Sequence, residues 1–294
     1  MQLEEILSEL ENNTGKFPHL ALERAIQERE AITPVLLATL EEYKNNLEEL
    51  LDKSDYFLHI YALYLLAQFR ELLAYPLIVE FFSAPGEISL DVTGDVVTED
   101  LGRILACVSG GNIDLIKQLI ENQQANEFVR GAALKSLVVL VAQGIISREQ
   151  VIQYFEELFS TLKDNKSDYI WTNLVINSSE LCPIELKEHI ERLFEEDFIE
   201  TFFIDQEDVE DALQLGPEAA LTRLREHPHY SLIEDTISEM KSWACFQQEN
   251  RKQASPISFS GEDFTPSFNK SKNHAKKKKK MQKEARRKNR PKKK

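Results

Sequence analysis

Glu185 and His189 stand four residues apart in CPIELKEHIERLF, a spacing that puts a carboxylate and an imidazole on one side of a helix. Such a pair is part of the ligand set of a dinuclear carboxylate centre, which needs similar pairs on facing helices. Glu188 lies beside it in a generally acidic stretch, so a solvated helix face is the simpler reading. An enzyme with an unrecognised acidic or metal site would draw first on Glu185, Glu188, His189 and Asp211. Cys107, Cys182 and Cys245 lie 75 and 63 residues apart, without the close pairs that bind zinc. Cys107 falls in the apolar run ILACV, where a thiol acts as a small buried hydrophobe. There is no GxxxxGK[ST] phosphate loop, no HExxH and no GxSxG. Gly110 in SGGN caps one helix, and Asn112 starts the next. Trp171 and Trp243 have the shape of stacking platforms for a base or a peptide, yet both sit at amphipathic spacing among apolar residues and read more simply as packing groups. His227 and His229 flank Pro228 in a turn. No motif requires a cofactor or a metal, and the expectation is a non-enzymatic protein.

Charge is what this sequence segregates. The 294 residues carry 35 Lys and Arg against 50 Asp and Glu, a formal net charge of -15. Fifteen of those bases and a single acid, Glu284, fall between Lys270 and Lys294, a net of +14; the other 269 residues keep 20 bases against 49 acids, a net of -29. The expected phosphate-neutralising positions are Lys276, Lys277, Lys278, Lys279, Lys280, Arg286, Arg287, Lys288, Arg290, Lys292, Lys293 and Lys294. Cations this dense displace condensed counterions and give salt-dependent, sequence-blind affinity for RNA or ribosomes. Few aromatics interleave them, so base-specific reading is not expected. Two other targets for the tail stay open. One is the protein's own acidic body, within reach of a 48-residue extension spanning about 35 to 40 Å, in an autoinhibitory arrangement. The other, in a eukaryotic host, is a nuclear-import receptor.

Between Glu185 and Asp211 twelve acids meet two bases. With Phe194, Phe198, Ile199, Phe202 and Phe203 turned inward, Glu188, Glu191, Glu195, Glu196, Asp197, Asp208 and Asp211 form an outward negative patch. It either receives a protein partner or keeps the chain soluble.

The elements that would carry these groups are helical. Apolar residues recur at helical spacing, as in Leu3, Ile6, Leu7 and Leu10, then Leu36, Leu37, Leu40, Leu47, Leu50 and Leu51. Thr33 before Pro34 marks a helix start, and capping boxes are expected at Ser147 with Gln150 and at Ser231 with Glu234. Gly and Pro breaks recur at short intervals, giving about a dozen helices of roughly ten to eighteen residues. Segments beginning at Tyr61, Thr98, Val129 and Ile170 each read as an apolar helix, a break and an amphipathic helix. The last two begin 41 residues apart, a HEAT or armadillo spacing. The expected fold is all-α: a HEAT/armadillo-like helical repeat, an α-solenoid or compact repeat domain, over residues 1–246. A flexible linker over 247–269 and a disordered Lys/Arg-rich tail over 270–294 follow. A non-repetitive helical bundle is the alternative. No run approaches the roughly 18 apolar residues of a membrane span, and MQLEEILSELENN has no signal-peptide pattern. Soluble, cytoplasmic residence without integral membrane association follows, or nuclear residence if the host is eukaryotic.

The segments RGAALKSLVVLVAQGIISREQVIQYFEELF, NSSELCPIELKEHIERLFEEDFIETFFIDQEDVEDAL and HLALERAIQEREAITPVLLATLE resemble an uncharacterised, mainly bacterial family of helical proteins, a domain of unknown function, over about Leu3 to Met240. The resemblance implies a helical body and no established catalytic residues. Many members end in a SecA-type zinc motif of closely spaced cysteines. This chain has no Cys after Cys245, so no metal role carries over, and a lysine-rich ending stands where that module would be. The resemblance implies that both endings attach the body to something else. The reading is thus an adaptor that binds an unidentified protein through its acidic body and a polyanion, RNA or a ribosome, through its tail.

Overall fold

Asn126, Ser147, Asp205 and Asp235 each open a helix for the same reason: a short polar side chain accepts a free first-turn amide, from Phe128, Gln150, Asp208 and Ile237 respectively. The computed structural model describes residues 2–162 and 168–246, all within one compact unit spanning 1–249. The helices are α1 (Leu3–Leu10), α2 (His19–Gln27), α3 (Arg29–Tyr43), α4 (Glu48–Asp52), α5 (Leu58–Phe69), α6 (Ala74–Phe82), α7 (Ile88–Thr93), α8 (Val96–Glu99) and α9 (Leu101–Ser109). They continue as α10 (Asp114–Glu121), α11 (Glu127–Ala142), α12 (Arg148–Thr161), α13 (Asp168–Glu180), α14 (Lys187–Glu195), α15 (Gln206–Leu215), α16 (Pro217–Glu226) and α17 (Thr236–Met240). There is no strand among the described residues, only two isolated bridges, Asn12 to Tyr56 and Pro85 to Ala125. The all-α expectation holds, with more and shorter helices than expected.

Three helices make the spine. Every residue of α9 is buried, as is all of α5 except Gln68 and all of α11 except Glu127, Phe128 and Lys135. These helices are apolar on all sides because neighbours cover them on all sides. In chain order α5 packs on α9, α9 on α11 and α11 on α13. Two glycines set the closeness of the last two contacts. A Cβ at Gly102 would lie 2.9 Å from the Ala132 carbonyl oxygen, and one at Gly131 would lie 3.1 Å from the Tyr169 ring.

Each spine helix, and α13 and α15 after them, turns into a partner: α5 into α6, α9 into α10, α11 into α12, α13 into α14, and α15 into α16 across Gly216. That is the hairpin order expected from the four similar segments. A solenoid repeat is not established by it, because a solenoid's units meet only their neighbours. Here residues 231–246 return across the middle of the chain. Arg70 donates to Ile233 O at 2.7 Å, Gln68 accepts from Thr236 N at 2.9 Å, and Cys107 Sγ accepts from Ile233 N at 3.3 Å. Trp243 then meets Tyr64 edge-on, with ring centroids 5.4 Å apart, and Phe246 meets Phe17 at 5.2 Å.

Two expected helix starts are corrected. Pro34 lies inside α3, which begins five residues earlier; the Thr33 hydroxyl donates to Arg29 O at 2.7 Å and so continues the turn. Ser231 caps no helix. Its hydroxyl donates back to Pro228 O at 2.7 Å, Glu234 is drawn away to Arg70, and Asp235 takes the cap of α17.

Arg103 holds the returning segment down. The residue is 5% exposed, and its guanidinium meets Glu239 through both oxygens, at 2.6 and 2.9 Å, Asp100 at 2.9 Å and the Ser231 carbonyl at 2.8 Å. Burial alone would lower its pKa, but the hydrogen bonds and charges of Glu239 and Asp100 outweigh burial and raise it. Removing one partner of such a buried cluster leaves the others uncompensated. Arg103→Met is expected to cost about 3 to 5 kcal/mol, and Arg103→Lys to restore only part of that. Thermal melting checks this: an Arg103→Met midpoint equal to wild type would show that the segment is held without the ion pair.

Candidate functional site

Arg148, the first residue of α12, is buried because it spans two hairpin turns. Its Nε donates to Leu181 O at 2.7 Å and one Nη to Cys182 O, while both Nη atoms reach the Glu185 carboxylate at 2.8 Å each. This fork-to-fork geometry is the strong form of the interaction. The hydrogen bond from Arg148 holds the Glu185 carboxyl below its usual value. Glu185 therefore belongs to the α11–α14 scaffold, on a 3-10 turn (Ile184–Leu186) preceding α14. His189 sits on α14 and stacks on Phe159, with centroids 5.5 Å apart and planes at 17°. The spacing that placed the two on one helix face is thus interrupted by the 3-10 turn, and each side chain has its own partner. Glu188 and Asp211 are exposed on α14 and α15. Among the described residues no group of three or more His, Cys, Asp or Glu is arranged to hold a metal ion.

The acidic residues named from sequence are all exposed. Glu188, Glu191 and Glu195 lie along the outer side of α14, with Lys187 reaching Glu191 at 3.6 Å. Glu196 and Asp197 form the turn after it, and Asp197 adopts a left-handed conformation. Asp208 exchanges cap hydrogen bonds with Asp205 at the start of α15, one turn before Asp211. Beneath them Ile199 is buried, whereas Phe194, Phe198, Phe202 and Phe203 are half-buried. The phenylalanines anchor these elements less deeply than expected, because the segment lies at the margin of the core. The basic positions between Lys276 and Lys294 lie outside the described residues.

The remaining candidates are structural. Cys107 is buried, and burial pushes its thiol up to about 11. Cys182 is buried and Cys245 half-buried. Trp171 packs between Phe159 and Phe198, and Trp243 among Phe57, Tyr64 and Phe246. The His227 ring accepts from the His229 amide and so closes the turn after α16. A cleft of about 560 Å³ is lined by Glu11, Asn12, Glu42, Tyr43 and Asp52–Tyr56. Lys53 crosses it, donating to Tyr43 Oη at 2.6 Å and lying over the Tyr43 and Tyr56 rings.

Sequence reasoning passed over Arg103, Arg148 and His59. The signal for the first was present, a lone base inside the apolar stretch LGRILACV. His59, in YFLHIY, is 3% exposed and lies between the Tyr56 and Phe81 rings. Its Nε2 bonds Val92 O at 2.9 Å, and its Nδ1 has no partner. Burial lowers its pKa to about 4, against a weaker opposing effect of the Val92 carbonyl.

A family model described as a protein of unknown function (DUF1186) matches residues 1–247. An uncharacterized protein of Chlamydia trachomatis is 41% identical over 244 residues, covering 83% of this chain and 96% of that one. An uncharacterized protein of Chlamydia muridarum is 40% identical over 244 residues, covering 83% and 97%. No solved structure matches. No helix of the described residues is long and apolar enough to cross a membrane.

His59 makes the fold acid-sensitive. Between about pH 6.5 and 4 the unfolded chain binds a proton at this residue that the folded chain refuses. Stability is therefore lost as pH falls through that window, by up to about 3 kcal/mol. His59→Gln keeps a donor for Val92 O and removes the titration. Its stability measured by urea unfolding is expected to fall less steeply than wild type between pH 7 and 4, and parallel curves would refute the assignment.

Proposed function

The chain belongs to the DUF1186 family of proteins of unknown function, and from that premise we propose that it is a non-enzymatic cytoplasmic adaptor, its helical body binding protein and its Lys/Arg-rich ending binding a polyanion, RNA or ribosomes. The observation that carries this reading is the separation of charge: -29 over residues 1–269 against +14 over 270–294. A body so acidic repels nucleic acid. A basic run so dense attracts it through counterion release, without regard to base sequence.

The family match ends at residue 247, before the basic run begins. The two functions are accordingly assigned to separate parts of the chain: protein binding to the part shared with relatives, and polyanion binding to the part beyond the match. Exposed carboxylates on α14, the turn after it and α15, Glu188, Glu191, Glu195, Glu196, Asp197, Asp208 and Asp211, support the first assignment, since they are available to a basic partner.

The test compares the full chain with residues 1–269 for binding of a poly-uridine RNA of about 20 nucleotides over a range of salt. The full chain is expected to bind with log affinity falling by about 0.7 per phosphate contacted for each tenfold rise in salt. The shortened chain is expected to lose binding while keeping its helicity and melting temperature. RNA binding retained by residues 1–269 would overturn the reading.

A further inference from the structure

Seven large apolar side chains are exposed among the described residues, and five of them sit at the junctions within hairpins: Leu72, Leu73, Ile145 and Ile184 between helices and Leu215 at the end of α15. Leu73 is 68% exposed, Leu72 57% and Ile184 56%. Turns are ordinarily the polar, solvated parts of a helical fold. Single exposed leucines need no explanation, but leucines and isoleucines gathered on one set of turns do.

These turns also touch in chain order. A Cβ at Gly110, between α9 and α10, would lie 2.8 Å from Leu72 Cδ2, and one at Gly111 would lie 3.0 Å from Ile145 Cγ2. Arg148 bonds the turn containing Ile145 to the carbonyls of Leu181 and Cys182, beside Ile184. Cys182 Sγ meets Leu213 O at 3.7 Å, beside Leu215. The five turns form one continuous edge with an apolar crest.

Carboxylates predominate along this edge. Arg29, Arg70 and Arg148 are its arginines, and all are engaged, Arg29 by Phe69 O and the Phe69 ring, Arg70 by Glu234 and Ile233 O, and Arg148 by Glu185 and the carbonyls beneath it. Lys187 is paired with Glu191. Asp114, Glu149, Glu188 and Glu218 are exposed beside the crest. Apolar contacts flanked by carboxylates suit a partner with an apolar stripe flanked by cations.

We infer that the hairpin-turn edge running from Leu72 to Leu215 is the protein-binding site of the body, and that its occupant is a cationic amphipathic helix of another protein. This rests on the adaptor reading above and adds to it the place and the chemistry of the partner. Leucines or isoleucines of the helix lie on Leu72, Leu73, Ile145 and Ile184, and its lysines or arginines reach the flanking carboxylates. Complementary charge orients the helix, and the apolar contact holds it.

The probe is a synthetic Leu/Lys helix of about 18 residues, some 27 Å long, with leucines on one face. Its control is a peptide of the same composition with the leucines scattered around the helix. Binding to the full chain is followed by fluorescence anisotropy at about 0.15 M salt, where charge alone is screened beyond roughly 8 Å. Wild type is expected to prefer the amphipathic peptide at least tenfold over the scattered one. The triple variant Leu73→Gln, Ile145→Gln, Ile184→Gln is expected to lose at least tenfold for the amphipathic peptide alone. Leu20→Gln with Leu51→Gln, exposed but remote in sequence from these turns, is expected to bind like wild type. All three residues of the triple variant are on the surface, so an unchanged melting temperature is expected and is measured alongside. Equal binding of the two peptides, or of wild type and the triple variant, would overturn the proposal. So would dimerisation of wild type that the triple variant lacks, which would make a second copy the occupant. Poly-uridine binding by the triple variant reports on the tail alone, so failure of the edge and failure of the adaptor's RNA-binding half are read separately.

Discussion

A guanidinium buried in the first turn of α9 has to be neutralised where it lies, and Arg103 finds only part of its compensation within its own hairpin. Asp100, one turn away, supplies one carboxylate oxygen. Glu239 supplies two, and Ser231 and Leu232 supply carbonyls, all from a segment 128 to 136 residues further along. The position of the last described helix therefore follows from the burial of one side chain in the spine. With the segment in place, Ile233 covers Cys107, Thr236 meets Gln68, and Trp243 closes over Tyr64. Tyr64 in turn donates to Asp100, so the aromatic lid and the ion cluster share a carboxylate. An open stack of hairpins would leave Arg103 and the upper side of α5 to solvent, and the returning segment makes the body a closed unit.

Arg148 solves a smaller version of the same problem. It lies under two turns and gathers two carbonyls and a carboxylate, which explains why Glu185, read from sequence as half of a ligand pair, is unavailable as one. The two arginines differ in reach. Arg148 stitches consecutive hairpins and preserves their order, while Arg103 joins parts of the chain that the hairpin order alone would not bring together.

Local signals were legible. The helical spacing of apolar residues, the cap at Ser147, the break at Gly110 and the breaks at Cys182 and Gly216 all have causes within a few residues of themselves. The apolar stretches of α5, α9 and α11 were visible too, since a helix covered on every side has no polar stripe. What was not legible depends on distance. Ser231 with Glu234 has the pattern of a capping box, but Arg70, more than 160 residues earlier in the chain, takes Glu234 away. Pro34 looks like a helix start until the turn before it is stabilised by Thr33. Glu185 and His189 have helical spacing, and only the backbone around Cys182 shows that a tighter turn separates them. Lone bases inside apolar runs, as at Arg103, are the signal that sequence reading underused: a charge placed there implies a partner, even when the partner's place in the chain is unknown.

The returning segment also orders events in time. During synthesis from the amino terminus, Arg103 is in place well before Glu239. At about 5 to 20 residues per second, the 136 residues between them take roughly 7 to 27 s. For that interval the nascent spine carries a cation paired with Asp100 alone and an uncovered surface around Cys107 and Gln68. The hairpins can form early, but the spine stays partly hydrated until its last piece arrives, so completion of the body is a late step set by the ribosome's pace rather than by the speed at which helices pair.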